Sequence, residues 1–150
     1  MLTVRTGYAI LALACLRGSE DRWVLAQEIA DRTNVPKPYL HKILHALGKS
    51  GVIQTKRGYR GGMALSRLAE EISVFEVVQS VEGRKWQNRC LLGLAECADE
   101  RGCPMHEFWT EEKEKIEQKL RDLSLAQVAD FEGREQGRLK KIMELPNDYS

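Results

Sequence analysis

At 150 residues the chain has room for one hydrophobic core, or one core with an added dimerisation arm. No run of ~18 apolar residues occurs, which excludes a helical membrane span. The net charge of +1 hides a division: residues 1–67 carry 11 Lys/Arg against 4 Asp/Glu, and residues 68–150 carry 12 against 18.

The opening Met1–Leu16 lacks the basic lead of a secretion signal, and its apolar residues are helically spaced. A cytoplasmic protein is therefore expected, in which four cysteines serve metal ligation or redox sensing rather than disulfides. Val4, Tyr8, Leu11, Ala12, Cys15 and Leu16 form the apolar stripe of a first helix, with Cys15 as a buried structural thiol. Leu25, Ala26, Ile29 and Ala30 mark a short second helix. Thr33-Asn34-Val35 forms a turn, where Asn34 adopts the left-handed conformation at little cost. Pro36 and Pro38 suit the first turn of a third helix. Leu40, Ile43, Leu44 and Leu47 are its buried face, and Lys37, His41, Lys42, His45 and Lys49 its outer face.

Two short helices joined by a tight turn, the second basic outside, predict a helix-turn-helix whose second helix enters a DNA major groove. His41 and His45 could pair on a metal, but no third ligand is nearby, and contact with bases or phosphates is the favoured role. Gly51–Thr55 and Met63–Leu65 read as two strands joined by a Gly-rich basic loop, a wing in which Arg57 and Arg60 probe the backbone or minor groove. The phosphate-loop pattern with Lys-Ser/Thr is absent, and no helix opens from this loop. Within 32–67 there are eight basic residues and no acidic one, as a polyanion-binding face requires.

Ser73-Val74-Phe75-Glu76 is a capping box, with Ile72 and Val77 as a hydrophobic staple. Val74, Val77, Val78 and Val81 supply the buried face of the helix it opens, and Gly83 ends it. Periodicity is lost over 84–103. Pro104 is expected at the first position of a long helix lined on one side by Met105, Trp109, Ile116, Leu120 and Leu123, with a Glu/Lys-rich back. So narrow a stripe suits pairing with its own copy or packing on its own domain, and pattern alone does not separate the two. Ser124-Leu125-Ala126-Gln127 caps a short following helix, and the tail from Glu132 is charged and weakly patterned. The expected fold is mainly α with a small β-hairpin. A winged helix-turn-helix spans 1–83, a ligand-bearing loop 84–104, a dimerisation helix and short following helix 104–131, and a charged tail 132–150.

The loop carries Cys90, Cys97 and Cys103, with His106 one turn beyond. Six residues separate the first pair, five the second, and two stand between Cys103 and His106. Zinc sites usually place paired cysteines two to four residues apart. The wider gaps suit an iron–sulfur cluster, whose irons are spread over a few ångströms. Spacing alone leaves three readings open: a cluster, zinc, or unligated thiols that sense redox through a Cys97–Cys103 disulfide. Nothing resembles a substrate-pocket motif, so an enzyme is not expected.

Pro38-Tyr39-Leu40, Lys42-Ile43-Leu44, Gly51-Val52-Ile53, Arg57-Gly58-Tyr59-Arg60-Gly61-Gly62, Glu71-Ile72-Ser73-Val74 and Val81-Glu82-Gly83 occur in this order. Together they resemble the Rrf-two family of winged-helix regulators over roughly residues 1–130. The resemblance implies a homodimeric transcription regulator, in the manner of a repressor, that binds an inverted repeat in double-stranded DNA. The mixture of positive charge and hydrogen-bonding groups points to recognition through Lys37, Tyr39, His41, Lys42 and His45 on the helix, and through Arg57, Tyr59 and Arg60 on the wing. The resemblance also implies an iron–sulfur cluster on Cys90, Cys97 and Cys103 that senses iron, redox or nitric oxide status. His106 matches the histidine that ligates a 2Fe–2S cluster in the IscR-like branch, with 4Fe–4S as the alternative. Two departures stand out. The first gap is one residue longer than the family's five, and Tyr8 stands where the NsrR-like branch offers an aspartate to its partner's cluster.

Overall fold

The computed structural model describes residues 2–94, 96–97 and 102–134. Helix α1, Val4–Arg17, is capped by Thr3, whose hydroxyl accepts the Arg5 N–H at 3.2 Å. Ala9, Leu13 and Leu16 of α1 are the centre of the core. Helices α2, Ala26–Thr33, and α3, Lys37–Lys49, pack against it. Between them Asn34 sits at φ 56°, and its N–H closes α2 on the Ala30 carbonyl at 2.9 Å. The turn expected at Asn34 is present for the expected reason: a short polar side chain tolerates the left-handed region. Pro36 caps α3 and Pro38 lies in its first turn, where no N–H is needed. Leu40, Ile43, Leu44 and Leu47 are all buried, and full burial of each contributes about 1.5–3 kcal/mol.

The wing pairs β1, Ile53–Lys56, with β2, Gly62–Leu65, in antiparallel register Ile53↔Leu65 to Lys56↔Gly62. A third strand-like segment joins them that the sequence pattern does not signal. Val24, just ahead of α2, exchanges both backbone hydrogen bonds with Met63 at 2.8 and 2.9 Å, adding a one-residue strand to the hairpin. Gly62 makes this approach feasible, since a Cβ there would stand 2.7 Å from the Val24 carbonyl oxygen.

Helix α4, Val74–Glu82, opens on the full capping box of Ser73 and Glu76 and ends at Gly83 (φ 84°). Among its described residues, the stretch expected to be irregular contains a 3-10 turn, Trp86–Asn88, whose Trp86 ring is buried edge-on to Phe75. Helix α5 spans His106–Asp122, so Pro104 stands in the turn ahead of it rather than at its first position, and Leu123 follows its end. The cause is local: Met105 takes the cap position, and the His106 N–H already closes on the Cys103 carbonyl at 3.0 Å. Trp109 is the one residue of α5 that is fully buried, Ile116 and Leu120 are half-buried, and Phe108 is exposed.

The chain then turns back. Val74 donates to the Leu123 carbonyl at 2.8 Å, and Leu125 donates to the Ile72 carbonyl at 2.7 Å. This tie lays α6, Leu125–Arg134, along α1. Ser124 and Gln127 form its expected capping box, and Leu125, Ala126 and Ala129 are buried. The charged tail expected from 132 lies, beyond Arg134, outside the described residues. Among the described residues no helix is long and apolar enough to cross a membrane.

Candidate DNA-binding face and cysteine–histidine centre

Because α3 buries its leucine and isoleucine face, Lys37, Tyr39, His41, Lys42 and His45 are turned outward and exposed. Tyr39 has a second partner: its ring meets Tyr8 of α1 edge-on, with centroids 6.0 Å apart and planes at 62°. Tyr39 thus stands half on the outer surface and half in the joint between α1 and α3. On the wing, Arg57, Tyr59 and Arg60 are exposed between the strands. Arg60 sits at φ 56°, and its guanidinium lies 5.3 Å over the Tyr59 ring, which sets the two side chains together. At the wing's base Lys56 reaches over Trp23 at 5.9 Å, a pairing that the sequence pattern does not disclose. With no acidic residue between 32 and 67, α3 and the wing form a basic surface.

Cys90, Cys97, Cys103 and His106 are all half-buried and line one small apolar cavity at the start of α5. Leu91, Leu92, Met105 and Trp109 complete its wall. The Cys97 Sγ stands 3.0 Å from His106 Nδ1, and Cys90 Sγ accepts the Leu92 N–H at 3.4 Å. The loop is held from behind: Cys97 donates its N–H to the Asn88 carbonyl at 2.8 Å, and Arg89 and Glu96 form a bridge. None of the four cysteines is joined in a disulfide. Residues 95 and 98–101 of this loop lie outside the described residues. Among the described residues, no three His, Cys, Asp or Glu side chains stand in a metal-holding arrangement. The donor chemistry is nonetheless soft to borderline: three thiols and an imidazole around an apolar space, with no carboxylate among the described residues of its wall. That composition fits an iron–sulfur cluster or zinc and not a hard cation. Cys15 stands apart on α1. Burial pushes its thiol up, and Glu28 adds to the rise while Arg32 opposes it, so it is an inert core thiol.

The sequence pattern assigns no role to Glu82, at the end of α4. Its side chain is 0% exposed. Oε1 accepts the Thr3 N–H, the Thr3 hydroxyl and the Thr6 hydroxyl, each at 2.8 Å. Oε2 accepts Arg89 Nη1 at 2.8 Å, and Arg89 Nη2 donates to the Glu82 carbonyl at 3.0 Å. Burial works against the ionised form. The Thr3 N–H, the Arg89 guanidinium and the two hydroxyls outweigh it, and the carboxyl titrates below the ordinary glutamate range. The Arg89 carbonyl in turn accepts the Trp109 indole N–H at 3.0 Å. A signal was available: Glu82 is spaced four residues from Val78 on the apolar face of its helix.

A family profile described as an iron-dependent transcriptional regulator, Rrf2, matches residues 2–130. A protein of Aquifex aeolicus described as an HTH-type transcriptional regulator is 31% identical over 132 residues, covering 87% of this chain and 90% of its own. The HTH-type transcriptional regulator IscR of Yersinia pestis is 29% identical over 128 residues, covering 85% of this chain and 77% of its own. Among solved structures, IscR of T. potens shares the fold with a TM-score of 0.68 at 23% identity, covering 91% of this chain and 90% of that one. CymR, the global cysteine regulator of B. subtilis, shares it with a TM-score of 0.69 at 17% identity, covering 87% and 97%.

Proposed function

The chain belongs to the Rrf2 family of transcriptional regulators, and from that premise we propose that it is a homodimeric DNA-binding repressor controlled by an iron–sulfur cluster. It is a regulator and not an enzyme. The observation that carries the cluster is the gathering of Cys90, Cys97, Cys103 and His106 around one apolar cavity. When bound, the cluster, 2Fe–2S rather than 4Fe–4S on the strength of His106, supplies a redox- and iron-sensitive group whose potential imidazole ligation raises.

The protein's own residues do the rest. The three thiolates and the imidazole hold the group, while Leu91, Leu92, Met105 and Trp109 give it an apolar wall. Lys37, Lys42, Arg57 and Arg60 neutralise phosphates, which sets affinity and makes it salt-dependent. Tyr39, His41, His45 and Tyr59 present hydrogen-bonding groups from the helix and wing, the means by which base edges are read. A second copy joined along α5, where Phe108 is exposed and Ile116 half-buried, places two recognition helices on an inverted repeat. Cluster state controls DNA binding only if its two states favour different arrangements of these helices.

A thiol-sensor reading has one observation of its own: the 3.0 Å approach of His106 Nδ1 to Cys97 Sγ, which brings an imidazole within hydrogen-bonding reach of a thiol. A structural zinc site is the third reading of the same donors. Anaerobic purification with iron, sulfide and visible absorption separates them. Iron with sulfide and a coloured spectrum supports the cluster. Zinc in a colourless protein supports the structural site. Metal-free protein that loses two hydrogens by mass on peroxide treatment supports a Cys97–Cys103 disulfide.

A further inference from the structure

We propose that Glu82 is a positioning residue that carries the state of the cysteine loop to the recognition helix, an inference that rests on the cluster-controlled reading above. Its carboxylate lies between two elements and takes donors from both. One oxygen takes three hydrogen bonds from the start of α1, from Thr3 and Thr6. The other takes the guanidinium of Arg89, the residue immediately before Cys90. Arg89 is fixed on its other side, since its carbonyl holds the Trp109 indole beside the cysteine cavity. A displacement of Cys90 therefore pulls on Arg89 and, through Glu82, on the first turn of α1. From there the edge-on packing of Tyr8 against Tyr39 leads to the first turn of α3. Burial of the carboxylate makes a lost partner costly. The carboxylate itself is 0% exposed, so loss of either set of donors leaves a buried oxygen unmet, while Arg89, 38% exposed, stays within reach of water when the pair parts.

Glutamine at 82 keeps size and an oxygen for the threonine donors, but it turns an NH2 toward the Arg89 guanidinium and removes the anion. The experiment compares wild type and Glu82→Gln, each cluster-loaded and cluster-free. It reads iron and sulfide content, DNA affinity, and amide hydrogen exchange over residues 2–9. In wild type the two forms differ in affinity and in exchange at the start of α1. In Glu82→Gln the cluster still loads, while the affinity ratio falls by roughly fivefold or more toward one, as loss of a typical coupling requires. The exchange difference over 2–9 also disappears. Wild type without iron, or with equal affinity in both forms, overturns the cluster-controlled reading itself. A wild-type difference that persists undiminished in folded, loaded Glu82→Gln overturns the role of Glu82 alone. If Glu82→Gln does not fold, Thr6→Val removes one donor isosterically and is read by the same ratio, with the same outcomes on either side.

Discussion

Replacing Gly61 by alanine tests whether the wing's shape is needed for DNA binding. A Cβ at this position would stand 2.2 Å from the Lys56 carbonyl oxygen and 2.9 Å from that of Gly58. Both are backbone atoms, so no side-chain rotation relieves the clash, and the loop has to open by about 1 Å to reach a normal separation. The Gly61 N–H bond to the Gly58 carbonyl, 3.0 Å, closes the turn that holds Arg60 at φ 56° and is the first to break. Overpacking of this kind costs about 1–3 kcal/mol, which for a chain of this length is a loss of Tm of about 2–12 °C. DNA affinity should fall far more than stability. Arg57 and Arg60 lose their aim together, and the slope of log affinity against log salt should shrink by about 0.9 for each phosphate that is no longer neutralised. Gly58→Ala is the control. Its Cβ meets nothing within 4 Å, and only its φ of 88° opposes the change, a backbone cost of about 1–3 kcal/mol. Titration of both variants on operator DNA at several salt concentrations, beside thermal melts, decides the matter. Wild-type affinity and salt slope in Gly61→Ala would refute the wing's assignment as a DNA-binding element.

Alanine at Cys90, Cys97 or Cys103 should abolish iron and sulfide retention, whereas Cys15→Ala should leave it intact. Metal analysis that finds Cys15 necessary and Cys97 dispensable would remove the centre described here. His106→Cys should retain a cluster at a lower potential and His106→Ala a labile one; a well-occupied reduced sample without nitrogen hyperfine coupling takes His106 off the ligand set. Lys42→Ala should weaken all DNA sequences alike and reduce the salt slope by about one unit. His41→Ala should lose discrimination worth ~1–3 kcal/mol per base read, and selection from a random pool should return an inverted repeat. The folded Glu82 carboxyl titrates below its unfolded value, so its contribution to stability is complete above the unfolded carboxylate pKa of about 4.3 and is lost as pH falls through the folded value. The Tm advantage of wild type over Glu82→Gln should therefore shrink on acidification below that range, and a constant difference between pH 7 and pH 3 would contradict it.

The elements that were legible are those whose signals are local. Asn34, Pro36, Pro38, the two capping boxes at Ser73 and Ser124, and Gly83 each act within a few residues, and each stands where its chemistry suggested. The outward set on α3 followed from the burial of Leu40, Ile43, Leu44 and Leu47, because one helical face determines the other. Where expectation and structure part, the deciding interaction is distant in sequence or hidden in an irregular stretch. The strand pairing of Val24 with Met63 spans the whole helix-turn-helix, and neither residue advertises the other. The start of α5 shifted past Pro104 because of a hydrogen bond back to Cys103, inside a loop that has no period to read.

Glu82 illustrates the same limit at the candidate site. Read alone, a glutamate at the end of an apolar helix face is unfavourable for burial, and solvent exposure is the cheaper expectation. What reverses it are three donors from residues 3 and 6 and one from residue 89, none of which pattern reading pairs with position 82. The three cysteines and His106, by contrast, are singled out by residue type and closeness in sequence, although spacing alone leaves a cluster, zinc and free thiols open. A candidate ligand set thus shows in the sequence more readily than a contact between distant elements. Ligand chemistry restricts the choice of side chains, while a linkage needs only complementary groups brought together by folding. That asymmetry is why the cysteine–histidine set is readable from residues 90–106, and why the contacts of Trp109 with Arg89, of Arg89 with Glu82 and of Tyr8 with Tyr39 became visible only once α1, α4 and the loop before Cys90 stood side by side.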